Sequence, residues 1–408
     1  MRQRARWAAI ALFVTAISGA NAQNTLFFNF TLIDGTDRAP IPSAAMIVHN
    51  GRIIDIGPII GMEFPVGIDR VSLGGATIIP GLINAHGHVT SLQNLRTYAD
   101  YGITTVQSLG DEPREIFALR DSQATRELTR SRVFVAGPVL APKTVDEARA
   151  LVRANRAMHA DIVKIRVDDN LGTTQKMSPE IYGAVIDEAH KAGARVAVHL
   201  YYLSDAKAVL DSGADEIAHS IRDLDVDDAL IAKLKARNVC LVPTLMREVS
   251  TFVYEKTPDF FSDSLFLAYA DMSIVNRMKE PARQQAASSP TSQRYKRALE
   301  VASRNLKRLS DAGVPIAMGT DTGPAGRFQG YFELMELELM VKAGLTPKQA
   351  LAAATREAAK CIHQGSDIGT LEKGKWADFV VLSASPLDDI SNVRRIQSVW
   401  IAGNRVQR

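Results

Sequence analysis

Two histidines one residue apart, His86 and His88, close the apolar run Ile83-Asn84-Ala85. In an extended segment, residues two apart share a face, so both imidazoles can serve one metal ion. Four further signals follow. Lys164 lies within Val163-Lys164-Ile165-Arg166-Val167, and His199 ends Val196-Ala197-Val198. His219 ends Glu216-Ile217-Ala218, and Asp321 follows Met318-Gly319-Thr320. Each sits at the carboxyl end of a strand-like run. Four imidazoles, one lysine and one carboxylate suit a hydrolytic site built on two metal ions. Taken singly, each signal has a plainer explanation. A lone histidine at a strand end is more often a core residue, Asp321 could cap a helix before Gly323-Pro324, and Lys164 could be half of a buried ion pair. Their shared position at strand carboxyl ends carries the weight.

The elements that must hold these residues alternate. Helix-like stretches end near glycines, as in His190-Lys191-Ala192-Gly193 and Ser310-Asp311-Ala312-Gly313, and a short apolar strand follows each. Strands are expected over residues 81–86, 103–109, 132–137, 162–167, 195–199, 214–219, 239–243 and 314–320. Eight strands alternating with helices predict an α/β fold with a (β/α)8 TIM barrel over 81–364. In the fourth strand Val163, Ile165 and Val167 suit the helix-facing side, so Ile162, Lys164 and Arg166 face the lumen. Residues 244–300 read as an insertion, a helical cover or a plain surface excursion, rich in aromatics and then in Ser, Pro and Gln.

Both chain ends look different. Thr25–Phe30, Ala44–His49 and Arg52–Ile56 are strand-like, with Asn50-Gly51 as a hairpin turn. Strands at 378–382 and 398–406, with a Gly403-Asn404 turn, mirror them. A small β-sandwich domain is therefore expected from 23–80 and 365–408 together.

Residues 1–22 read as a signal peptide: Arg2, Arg4 and Arg6, an apolar stretch from Trp7 to Ile17, then Ala20-Asn21-Ala22. A periplasmic or secreted protein is expected. The formal charge of +3 comes from those three arginines, since the segment has no acid. The remaining chain has no basic excess to hold nucleic acid or an anionic membrane. Cys240 and Cys361 are too few for a disulfide framework, and Cys240 reads as a small core residue. His49, His159, His190 and His363 fall outside the strand ends and read as structural or surface residues.

Pro80-Gly81-Leu82-Ile83-Asn84-Ala85-His86-Gly87-His88, the lysine of strand four, the two later histidines, Gly319-Thr320-Asp321 and the segment from Gly369 to Leu382 occur in order. In this combination the chain resembles the amidohydrolase superfamily, and within it the imidazolonepropionase-like branch with its prolidase-like relatives. The resemblance implies two divalent metal ions, Zn2+ in the first instance, and a Lys164 carboxylated by CO2. It implies that His86, His88, Lys164 and Asp321 hold one ion and Lys164, His199 and His219 the other. A bridging hydroxide would attack, and Asp321 would take its proton and pass it to the leaving group.

The substrate expected from this is an amide of a small molecule or short peptide. Tyr201, Tyr202, Arg222 and Arg166, with Arg247, are candidates to hold a substrate carboxylate. Prolidase-like relatives carry a Gly-His-Gly segment after strand three, and this chain has Ala136-Gly137-Pro138-Val139 there instead. A lactone, ester or cyclic-amide hydrolase would use the same metal site, and a catalytically silent binding protein is a third reading. A homo-oligomer is left open.

Overall fold

The computed structural model describes residues 24–407, so the expected signal peptide lies outside the described residues. Among the described residues fourteen strands form three hydrogen-bonded sheets. One sheet has seven strands: β1 (Asn24–Leu32), β2 (Ile41–His49), β3 (Arg52–Pro58), β4 (Asp69–Pro80), β12 (Phe379–Leu382), β13 (Ile396–Ile401) and β14 (Asn404–Arg405), in the order β14-β13-β12-β4-β1-β2-β3. It draws on both chain ends, as expected, and β4 pairs with β12 to join them. The Asn50-Gly51 turn is present, with φ of 49° and 79° at its two residues, the conformation that matches strand twist. The far hairpin turns on Ala402-Gly403, one residue earlier than the sequence suggested. Strand β4 is not among the expected strands, because its alternation is broken by Gly74-Gly75, both at positive φ. Phe27, Phe379 and Trp400 fill the core of this sheet, the last two stacked 5.7 Å apart.

The chain between is α/β. Strands β5 (Leu82–Gly87), β6 (Ile103–Ser108) and β7 (Arg132–Val135) pair in parallel, as do β8 (Val163–Arg166), β9 (Val196–His199), β10 (Glu216–Ala218) and β11 (Cys240–Val242). Parallel bridges link Leu140 to Ile165, Leu241 to Ile316 and Thr322 back to Gly87. The parallel contacts thus return to the strand where they began. The eighth segment differs from the expected strand over 314–320: it holds only isolated bridges. Its amides serve other partners, with Thr320 and Asp321 both donating to the carbonyl of His86 (3.1 and 2.7 Å).

Residues 244–300 are helical for the most part. Phe260, Phe261 and Phe266 pack against Phe328, Tyr331 and Phe332, so the aromatics anchor the segment. The Ser/Pro/Gln stretch is a helix start: Ser289 accepts from the amide of Ser292, and Pro290 opens a helix of 22 residues. Among the described residues no helix is long and apolar enough to cross a membrane.

The cysteines correct the sequence reading. Cys240 in β11 and Cys361 at the end of the helix Arg356–Cys361 form a disulfide, with Cα atoms 5.9 Å apart. Both remain buried in an apolar cluster, so packing and cross-link coexist. The pair is separated by 121 positions, a distance that spacing alone cannot bridge on paper. Closing a loop of that length removes enough unfolded-state entropy to stabilise the fold by about 4–5 kcal/mol on the chain-entropy account. Reduction is therefore expected to lower the urea midpoint clearly. Equal midpoints with and without dithiothreitol would show that the bridge contributes nothing.

Candidate metal centre

The histidines of β5 reach the inner face of the ring through a bulge. Asn84 pairs with Val106 and Gly87 with Ser108, so three steps on β5 oppose two on β6. The extra residue falls at Ala85-His86 and breaks strict alternation. Ile83 and Ala85 therefore join an apolar cluster with Val242 and Ala317, while His86 and His88 still converge above it. On β8 the expected parity holds. Val163, Ile165 and Val167 belong to the large core, and Ile162 packs with Ala197 and Ala218. Lys164 lies in one row with Ala197 and Glu216, and Arg166 with His199 and Ala218.

His219 follows the inward-facing Ala218, so regular alternation would turn it outward. Its φ of 90° breaks the alternation. The ring lies 4.6 Å from that of His86 and 4.2 Å from that of His199. Asp321 is also left-handed, at φ 60°. Its Oδ1 lies 2.9 Å from His88 Nε2 and 3.6 Å from His86 Nε2, and its Oδ2 accepts from Arg327 at 2.5 Å. Strained backbone of this kind clusters at functional sites.

The six residues first singled out therefore come together. Ligand atoms of His86, His88 and Asp321 lie within 4.8 Å of one another, close enough to share a cation. His86 Nδ1, His219 Nε2 and Lys164 Nζ are buried and have no hydrogen-bond partner. Buried polar atoms without partners are rare and invite a ligand. Imidazole nitrogens with a carboxylate form a donor set suited to zinc and its neighbours.

Electrostatics favour ligation at three of the four histidines, while at His88 burial lowers the ring but Asp321 outweighs it and the net shift is upward. Burial, then Lys164, holds His86 well below the usual imidazole range; burial, then His199, does the same for His219. Burial pushes His199 down to about 3 against the opposing pull of Asp168. These three rings are neutral at ordinary pH, as metal ligands must be. Burial would raise Asp321, but Arg327 and His88 outweigh it and keep the carboxyl well below its usual range. Burial pushes Lys164 down to about 8.

Several residues escaped the sequence reading. Asp168 accepts from His199 Nε2 at 2.8 Å, and Thr244 bonds His219 Nδ1 at 2.7 Å. Each leaves the other nitrogen of its ring to face a ligand, the usual way a neighbouring group aims an imidazole. Glu112 accepts from the amides of Gly110 and Gly137 (2.8 and 2.7 Å) and ties the loops after β6 and β7 together. For Asp168 a signal existed: it continues the inward-facing series 162, 164, 166. For Thr244, Glu112 and Arg327 there was none, because their partners are distant in sequence or on irregular loops.

The substrate candidates fare differently. Arg222 is fully buried, paired with Glu248 at 2.9 Å and donating to the carbonyls of Leu200 and Ser220. Tyr201 lies beneath that guanidinium and is buried with it. Tyr202 donates to Asp169, and Arg247 is committed to Glu248 and to the ring of Tyr295. Arg166 alone of the set keeps a largely open side chain, 46% exposed, on a cleft of about 660 Å³ lined also by Lys143, Asp168, Lys176 and Met177.

An α/β fold with imidazoles and carboxylates gathered at strand carboxyl ends defines a metal-ligating class of site. The sequence profile of the amidohydrolase family matches residues 77–406, and the chain belongs to that family. It is 26% identical over 280 residues to ochratoxinase from Aspergillus niger, covering 66% of this chain and 51% of that one. The chain thus spans about half the length of this curated relative. Imidazolonepropionase from Geobacillus kaustophilus is 39% identical over 79 residues, 19% of either chain. Among solved structures, a candidate prolidase from Bifidobacterium longum superposes with a TM-score of 0.78 at 26% identity, covering 95% of each chain.

Proposed function

We propose that the chain is a metal-dependent hydrolase of carbon–nitrogen bonds in small molecules or short peptides. The observation that carries this reading is the convergence of His86, His88, His199, His219, Lys164 and Asp321 on one inner face, with three buried polar atoms awaiting a partner. Family membership and the names of the ochratoxinase and prolidase relatives point the same way. We read the ring of parallel contacts as a (β/α)8 barrel over 81–364 and the seven-stranded sheet as the β-sandwich domain of 23–80 and 365–408.

His86, His88 and Asp321 would hold one ion and His199 and His219 the other, with Lys164, carboxylated by CO2, between them. Lys164 Nζ is buried without a hydrogen-bond partner, and its carboxylated form would supply oxygen donors to these ions. Bound divalent ions would acidify a shared water and polarise the scissile carbonyl. Asp321, ionised and fixed by His88 and Arg327, accepts the proton of the attacking water and returns it to the leaving nitrogen. Arg166, on the open cleft, would steer an anionic part of the substrate. The Cys240–Cys361 bridge favours an oxidising compartment and so an exported protein.

Purified protein is expected to carry about two transition-metal ions per chain and to lose hydrolysis on chelation, recovering it with Zn2+. The assay is metal analysis with a screen of dipeptides, N-acyl amino acids and lactones. Full activity in a metal-free preparation would remove this mechanism, and turnover of lactones alone would transfer the same site to ester chemistry.

A further inference from the structure

We infer that Glu333, on the helix Tyr331–Lys342 behind the ring, is a positioning residue that fixes Asp321 against His86 and His88. This rests on the hydrolase reading above. The eighth segment has no continuous strand ladder, yet it must hold Asp321 in a left-handed conformation. Glu333 supplies the missing restraint. Its Oε1 accepts from Thr320 at 2.6 Å and from Thr322 at 2.5 Å, the residues on either side of Asp321. The same oxygen accepts from Asn84 Nδ2 at 2.7 Å. Asn84 Oδ1 in turn accepts the amide of His86 at 3.0 Å, and the amide of His88 donates to the carbonyl of Thr322 at 2.8 Å. One oxygen therefore gathers both segments that carry the His86–His88–Asp321 cluster. Thr322 is braced further by the Tyr98 hydroxyl at 2.7 Å.

The arrangement exceeds what packing requires. Glu333 is fully buried, and among the described residues no cation pairs with it and its Oε2 has no partner. A leucine would avoid the cost of burying a carboxyl but would strip Asn84, Thr320 and Thr322 of their common acceptor. The helix does not depend on Glu333 for its own placement. Glu336, three residues on and so on the same helical face, accepts the amides of Leu245 and Met246 (2.8 and 2.6 Å). Those amides follow Thr244, the partner of His219. The helix thus stays registered against the other half of the site when Glu333 is changed.

The test compares Glu333→Leu with Glu333→Gln. Leucine removes the acceptor; glutamine keeps a carbonyl oxygen for the same three donors. Loss of an outer partner of a metal site typically costs about 10–100-fold in affinity or rate. Glu333→Leu is expected to lower kcat by about that factor with KM nearly unchanged, and to weaken zinc binding to the apoprotein at one of two positions. Glu333→Gln should restore both to near wild type. Wild-type kcat and zinc affinity in the leucine variant, whatever its melting temperature, would overturn the assignment. So would a glutamine variant as slow as the leucine one. Should the leucine variant not fold, Thr322→Val breaks the same relay by one hydroxyl, and unchanged kcat and zinc affinity there would equally overturn it. The zinc titration needs no turnover. A wild-type protein that binds zinc and hydrolyses nothing would fail the hydrolase reading while leaving Glu333 testable.

Discussion

Asp321→Asn should keep most of the bound metal and lose about 10²–10⁴ in kcat, the usual range for removal of a general base. The native carboxylate is shared: Oδ1 faces the two β5 histidines and Oδ2 faces Arg327. Asparagine retains one oxygen of that pair, enough to keep a metal contact. Its amide group cannot accept a proton, and it presents a donor where the carboxylate met either His88 or Arg327. The loss should therefore fall on kcat, with KM little altered. The native group is held well below the ordinary carboxylate range by Arg327 and His88 against the push of burial. It is consequently ionised across neutral pH, and no loss of its basic form is expected on going down to mildly acidic pH. Metal analysis beside steady-state kinetics decides the matter. Unchanged kcat with a shifted KM would leave Asp321 as a ligand or cap and move the base elsewhere.

What the sequence made legible were the patterns with a short period. The parity of strand β8 placed Lys164 inside and Val163, Ile165 and Val167 outside, and the structure puts them there. Asn50-Gly51 announced its hairpin because both residues tolerate the positive φ values of a type I′ two-residue turn, which they adopt. The arrival of four histidines, a lysine and an aspartate at strand ends was readable for the same reason. The unread parts are departures from period. The bulge at Ala85-His86 depends on register with β6, which no residue of β5 reveals alone. His219 and Asp321 reach the site through positive-φ backbone that no strand period announces. The eighth segment looked like a strand because its apolar run was right, yet its amides are spent on the His86 carbonyl and elsewhere. Thr244 with His219 and the Cys240–Cys361 bridge join positions far apart in sequence, while Arg327 and Glu333 reach Asp321 and its neighbours across an irregular loop that carries no periodic signal. Arg222, a substrate candidate by its place after a strand, is buried and paired with Glu248 at 2.9 Å.

Lys164 gives the other large effect, and here stability and function should move apart. Its Nζ is buried, has no hydrogen-bond partner, and lies within the field of Glu216 without forming an ion pair. Burial pushes the amine down to about 8, so the neutral form that reacts with CO2 is within reach near neutral pH. An unpaired buried amine costs folding free energy, because it gives up water and gains no partner. If the residue exists to become a ligand, Lys164→Met should release that cost. The expected result is an apoprotein with equal or higher Tm than the wild-type apoprotein, together with loss of bound metal and of hydrolysis. The comparison must use metal-free forms, since bound metal stabilises the wild type by mass action. Lys164→Ala should lose metal and rate alike, and bicarbonate with a short carboxylic acid should restore part of both by filling the vacated space. The competing account makes Lys164 a counter-charge of Glu216, which burial raises and which Arg195, Gln107 and then Lys164 lower. That account requires the opposite pattern: a destabilised apoprotein that still binds two metal ions and still turns over. The signs of the Tm shift and of the metal loss therefore separate a ligand-forming lysine from a structural one without reference to the substrate.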